Sequence, residues 1–273
     1  MPRSGLQERR YRCDVHTHTL YSRHAYSTVE ENVRAAAERH IELLGITEHF
    51  SDMLWPTRDF RNFQYFINVS CWPRMWHGVR LLHGCEADIV DLDGHLYGWD
   101  TVIDHEISGS DRPTTTLKDL VFRGCDYVVA SVHDKTFANG ATRAQMTQAY
   151  LNALEDPKVL IVGHAGRSGL DFDFAEVVAA AHDLHKLIEI NEHSFAVGDS
   201  RTHGRCRELA ELCAQTGTKV AVSTDAHISY DIGRFEKAPA LLDEVDFPAE
   251  LIATRSADAF LAALDAAGMH VDL

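Results

Sequence analysis

The chain has 273 residues and 17 histidines, and where the histidines fall matters more than how many there are. Together with carboxylates they end a series of short apolar runs: Asp14-Val-His16-Thr-His18, Thr47-Glu48-His49, Cys85-Glu86, His133-Asp134, Gly163-His164, Glu189-Ile-Asn191 and Thr224-Asp225-Ala-His227. Imidazole and carboxylate suit divalent zinc, manganese or iron. In extended backbone, residues two apart project to the same side, so Asp-x-His and His-x-His can reach one cation or two adjacent ones. A single pair of this kind is weak evidence, because a hydrogen-bonded strand end would look the same. Seven run ends with one habit outweigh that reading, since chance would scatter the histidines onto helices as well.

The runs that must carry these residues are Cys13 to Val15, Leu43 to Ile46, Val79 to Leu82, Tyr127 to Val132, Val159 to Val162, Leu187 to Ile190 and Lys219 to Val222. They are apolar on both faces, as parallel strands covered by helices are. Helix signals lie between them. Ser27 with Glu30, or Thr28 with Glu31, forms a capping box, Asp173 with Glu176 forms another, and Gly217 ends a helix that begins near His203. An α/β fold follows, and in a closed parallel barrel the carboxyl ends of the strands meet at one mouth. Residues 97–116 are polar and aperiodic, a surface excursion expected to fold near that mouth and screen substrates by size.

Other features read as structure. His182 and His185 at i, i+3 lack a third ligand and mark a solvated helix face; Cys206, Leu209, Ala210 and Cys213 mark a buried one. Trp55, Trp72 and Trp76 could roof a pocket, although Trp72 and Trp76 at i, i+4 more often mark helix packing. No phosphate-binding glycine loop, H-E-x-x-H or G-x-S-x-G occurs. Net charge is −15, and the one basic cluster is Arg9, Arg10 and Arg12, so no track for a long polyanion is advertised. None of the six cysteines forms a C-x-x-C pair, no apolar run reaches the ~18 residues of a membrane span, and residues 1–12 lack a secretory apolar segment. A cytoplasmic protein is expected, with a tail over 1–12 and a single domain over 13–273.

At these residues the sequence resembles the PHP (polymerase and histidinol phosphatase) family, most of all its small bacterial YcdX-like metal-dependent phosphatases. Asp14-Val-His-Thr-His-Thr, Ser22-Arg-His-Ala-Tyr-Ser-Thr, Gly45-Ile-Thr-Glu-His, Gly84-Cys-Glu, Val132-His, Gly163-His, Glu189-Ile-Asn and Ser223-Thr-Asp-Ala-His follow the family order, and Phe66-Ile-Asn and Cys71-Trp-Pro-Arg also match. The resemblance implies a distorted seven-stranded (βα)7 TIM-like barrel holding three divalent ions, zinc, manganese or iron. It implies one ion at His16, His18, Glu86 and Asp225, a second at Glu86, His133 and His164, and a third at His24, His49 and His227. Three departures stand out: Glu48 where the family usually has Asp, Ala165 where Pro often follows the histidine, and His193 where a small polar residue is common.

The activity so implied is hydrolysis of small phosphate esters by metal-activated water, with His16, His18, Glu86, Asp225 and His227 carrying catalysis. Lys135, Arg167 and His193 are candidate substrate contacts. The alternatives are an exonuclease acting on oligonucleotides, since PHP domains also serve that role, and a non-catalytic metal-binding regulatory module. A small phosphorylated substrate is the expected partner, with no membrane and no long nucleic acid; the oligomeric state is left open.

Overall fold

Seven parallel strands form the frame of the computed structural model, which describes residues 11–55 and 57–271. They are β1 (Cys13–Asp14), β2 (Leu43–Phe50), β3 (Val79–Asp88), β4 (Tyr127–Ser131), β5 (Val159–Val162), β6 (Leu187–Asn191) and β7 (Val220–Ser223). Each expected strand is present, and each pairs in parallel with the next in this order. The ends of the sheet approach one another and nearly close the barrel. Thr17 bridges Ala226, the Asp225 amide donates to the His16 carbonyl at 2.9 Å, and the Asp14 carboxylate accepts from the Thr224 amide at 3.0 Å and its hydroxyl at 2.6 Å. Asp14, which ends an apolar run as the candidate metal ligands do, therefore serves the seam between β1 and β7.

The inward face of the strands changes character along its length. On β2 it runs Leu43, Gly45, Thr47, His49; on β3 Leu82, Gly84, Glu86; on β4 Tyr127, Val129, Ser131; on β6 Leu187, Glu189, Asn191; on β7 Ala221, Ser223. The apolar members at the amino ends form one buried cluster with Cys13 and Val15, joined by Phe260 and Leu264 of the helix Ala257–Ala266. Tyr127 fills the centre of this plug and donates its hydroxyl to the Val15 carbonyl at 2.5 Å. It fits only because Gly45 has no side chain: a Cβ there would lie 1.9 Å from the tyrosine oxygen. The opposite strand faces pack under the outer helices, among them Val29–Glu38, Phe174–Asp183 and Ser200–Thr216.

Local signals decide where these helices start and stop. Thr28 and Glu31 form the full capping box of Val29–Glu38. Asp173 caps Phe174–Asp183 through the Glu176 amide alone. Gly217, at φ +76°, ends Ser200–Thr216 in the left-handed region, and Cys206 and Cys213 line that helix's buried face.

Four expectations need correction. Trp72 lies in a turn and Trp76 in the short strand Met75–Trp76, so their spacing does not report a helix; the Pro73 between them disfavours one. His185 falls beyond the helix that carries His182, at φ +56°. Trp55 packs against the core and does not roof the cleft described below. The 97–116 excursion carries an antiparallel hairpin, Val102–His105 with Asp111–Thr116, and none of its residues lines that cleft. The tail expected over 1–12 lies largely outside the described residues, with Arg9 and Arg10; Tyr11 is buried, and Arg12 pairs with Glu42 at 3.2 Å.

Candidate metal centre

The carboxyl ends of the strands bring all nine residues assigned by the resemblance into one mouth. Glu86 is at its centre. Its Oε2 lies 3.2 Å from His16 Nε2, 3.5 Å from His18 Nε2 and 2.8 Å from His49 Nδ1. Its Oε1 faces the other way, 2.8 Å from His164 Nε2 and 3.4 Å from His133 Nε2. Asp225 Oδ1 completes the first group, 3.2 Å from His18 Nε2 and 3.8 Å from His16 Nε2. A third group lies beyond His49, where His24 Nε2 is 3.3 Å from His49 Nε2 and 2.9 Å from His227 Nε2. His18 and His49 with His227, His16 and His18 with Asp225, and His49 and Glu86 with His133 each offer ligand atoms within 4.8 Å of one another.

The chemistry of this donor set fits cations. His16 Nε2, His18 Nε2, His49 Nδ1 and Glu86 Oε2 are buried, yet none makes a hydrogen bond. Glu86 Oε2 lies 2.8–3.5 Å from the three ring nitrogens, so these atoms face one another without hydrogen bonds, and cations between them would satisfy all four. The far sides of the rings are held by oxygen. His16 Nδ1 meets Glu189 Oε1 at 2.8 Å, His133 Nδ1 meets Asp88 Oδ1 at 2.6 Å, and His227 Nδ1 meets the Asp225 carbonyl at 2.9 Å. Those contacts hold a proton on Nδ1 and leave Nε2 as the atom presented to the mouth, as outer partners of metal-bound histidines do.

Charge is balanced between the two sides of the centre. Burial alone would push the His16 imidazole down, but Glu86, Glu189 and Asp225 push it well above its ordinary value. Burial opposes ionisation of Glu86, yet His16, His133 and His49 hold its carboxyl well below the usual range. His24 goes the other way, pushed down to about 4 by partial burial and by His49 and His227. A neutral imidazole at physiological pH keeps its lone pair available.

The mouth opens as a cleft of about 470 Å³ bordered by Met53, Arg167, Ser168 and His193. Past His193, Asp225 and His227 it adjoins a larger cavity of about 960 Å³, bordered by Arg39, Arg234, Phe235 and Lys237. Two of the three candidate substrate contacts reach the cleft. Arg167 Nη2 is 2.8 Å from Asp225 Oδ2, and His193 is half-buried with its ring 6.2 Å from that of His227. Lys135 is exposed and outside the lining. Sequence reasoning missed Asp88 and Ser22, which hold His133 and His18 from behind. The spacing Glu86-x-Asp88 on one strand face was an available signal, and Ser22 opens the family-like stretch Ser22-Arg-His-Ala-Tyr-Ser-Thr without its role being read from it.

An α/β barrel with imidazoles and carboxylates ringing its mouth defines a candidate metal-binding barrel only in outline. Comparison with known proteins is more specific: the PHP domain family model matches residues 14–200, and the chain belongs to that family. A probable phosphatase of Clostridium novyi is 35% identical over 269 residues, covering 97% of this chain and 98% of the relative. A probable phosphatase of Clostridium acetobutylicum is 37% identical over 248 residues, covering 89% and 90%. The histidinol phosphate phosphatase of Lactococcus lactis, solved with zinc, L-histidinol and phosphate, shares the fold at a TM-score of 0.50 and 17% identity, over 87% of this chain and 95% of that one.

Proposed function

We propose that this chain is a metal-dependent phosphoesterase acting on small phosphate esters at a centre of three divalent ions. The observation that carries the reading is the convergence on one mouth of buried His16, His18, His49 and Glu86 atoms that make no hydrogen bond. Glu86, with one oxygen toward each of two groups, would serve two ions; His16, His18 and Asp225 would hold one with it, His133 and His164 the second, and His24, His49 and His227 the third. Three ions against two carboxylates leave a formal charge of about +4, which draws an anion even to a chain of charge −15.

Divalent ions held there would lower the pKa of water toward neutrality and stabilise charge on phosphoryl oxygens. The side chains do the positioning. Glu189 and Asp88 fix the rings of His16 and His133, so that their donor atoms keep one geometry through the reaction. Arg167 and His193, at the rim, hold the phosphoryl group; the Arg167 guanidinium has donors besides the one engaged by Asp225. The adjoining cavity, polar with Phe235 in its wall, receives the organic part of the ester.

Zinc is a natural choice for the ions, since the Lactococcus enzyme of the same fold was solved with it. Phosphate release should be measured across sugar phosphates, nucleotides, amino-alcohol phosphates and short oligonucleotides, with zinc, manganese and iron reconstituted in turn. A monoester should be turned over best. No release from any substrate with any metal would leave only a metal-binding module, and a preference for oligonucleotides would make the chain a nuclease.

A further inference from the structure

Glu48 is a buried carboxylate that the metal centre does not use. It lies on β2 next to His49, fully buried, and no Lys, Arg or His forms an ion pair with it among the described residues. A charge in that position has to be held by hydrogen bonds, because desolvation without compensation costs several kcal/mol. It accepts from the Thr19 amide at 3.0 and 3.1 Å, from the Thr19 hydroxyl and from the Ser22 hydroxyl.

Ser22 passes that constraint to the donor atoms. Its oxygen lies 3.1 Å from His18 Nδ1 and accepts from the His49 amide at 3.2 Å. One hydroxyl has one proton and two lone pairs. With its proton committed to Glu48, Ser22 can only accept from His18, which places the ring proton on Nδ1 and leaves Nε2 free. Thr19 and Ser22 are also the two ends of the turn Leu20–Ser22, after which Arg23 takes φ +66° and His24 reaches the third group. His24 itself is exposed, and among the described residues its ring meets His49 and His227 but no oxygen partner. Its placement therefore depends on the turn that Glu48 pins.

We infer that Glu48 is a positioning residue, acting through Ser22 on His18 and through the Thr19–Ser22 turn on His24, so that the His24–His49–His227 site depends on it most. The inference rests on reading the mouth as a metal centre. Glutamine at 48 keeps the size but offers one acceptor oxygen where the carboxylate offers two. Aspartate keeps the charge but is one methylene short.

The test compares wild type, Glu48→Gln, Glu48→Asp, Ser22→Ala and the Glu48→Gln/Ser22→Ala pair, each reconstituted with manganese or zinc and titrated against a chelator, with melting curves as a check on folding. Glu48→Gln should bind the third ion at least tenfold more weakly and the ion at His18 more weakly to a lesser degree, leaving the ion at His133 and His164 tight; Ser22→Ala should do the same, and the pair should be no worse than either alone. Glu48→Asp should fall between. Unchanged affinity for the third ion in Glu48→Gln, or multiplying losses in the pair, would overturn the inference. Should wild type itself take up fewer than three ions, the metal-centre reading fails first. The nitrogen NMR of His18 in metal-free protein then decides separately: a proton on Nδ1 in wild type that is lost in Glu48→Gln supports the positioning role, and its persistence refutes it. The same spectrum serves if Glu48→Gln folds poorly, with Ser22→Ala in its place.

Discussion

His49 and Glu86 are direct partners in the register of β2 and β3, with Nδ1 of the imidazole 2.8 Å from Oε2 of the carboxylate. Adjacent parallel strands send such partners to the same side, so two residues 37 positions apart in the chain share one point in space. The other ring nitrogen of His49 faces His24. One side chain thus touches both the central carboxylate and the outlying histidine pair, and the three groups are packed as one unit.

That packing separates two substitutions. Replacing Glu86 by Gln should weaken binding of two ions together, because both carboxylate oxygens face ligand groups. His24→Ala should remove one, because His24 meets only His49 and His227. Elemental analysis after reconstitution should show the two variants differing in ions retained. Equal loss of a single ion from both would show the allocation of ligands to be wrong.

Glu189→Gln and Asp88→Asn should each lower metal affinity by about 10–100-fold while the protein stays folded, since each supports a ring from behind. Chelator competition measures the change. Wild-type affinity in both variants would show that these carboxylates serve the fold and not the centre.

The barrel plug makes a stability prediction. Tyr127→Phe strands the buried Val15 carbonyl and should cost about 1–2 kcal/mol in denaturant unfolding. Gly45→Ala forces a methyl group against the Tyr127 oxygen and should cost about 1–3 kcal/mol or more. In the double variant Gly45→Ala/Tyr127→Phe the costs should fail to add, because the clash falls on the atom that the second change removes.

Much of this was readable in the chain because a period of two carries both fold and site. Leu43-Gly45-Thr47-His49 begins in the apolar plug and ends on a ligand, so the same alternation that specifies a barrel strand delivers its donor to the mouth. The strands run further than their apolar segments indicate: β2 continues to Phe50 and β3 to Asp88, placing Glu48, His49 and Glu86 within strands. Polar residues hid those last turns of pairing. Roles set by long-range contact were also hidden. Asp14 and Glu189 end apolar runs just as the assigned ligands do, but one fastens Thr224 and the other His16. Aromatic spacing misled at Trp72 and Trp76, where Pro73 should have outweighed the i, i+4 interval.

Substrate size follows from charge. With its attraction for phosphate confined to the centre, the protein should prefer monoesters to oligonucleotides, and its kcat/KM should fall only modestly between low and moderate salt. Oligonucleotides turned over better, with efficiency dropping several tenfold as salt rises, would point to a nucleic-acid track.

The central claim is tested most directly by following phosphate release from a monoester as metal-free protein is titrated with a single divalent metal. Activity should reach its plateau at close to three equivalents per chain, confirmed by elemental analysis of the same samples, and chelation should abolish it. Full activity at one equivalent or fewer, or activity that survives complete removal of metal, would contradict the account.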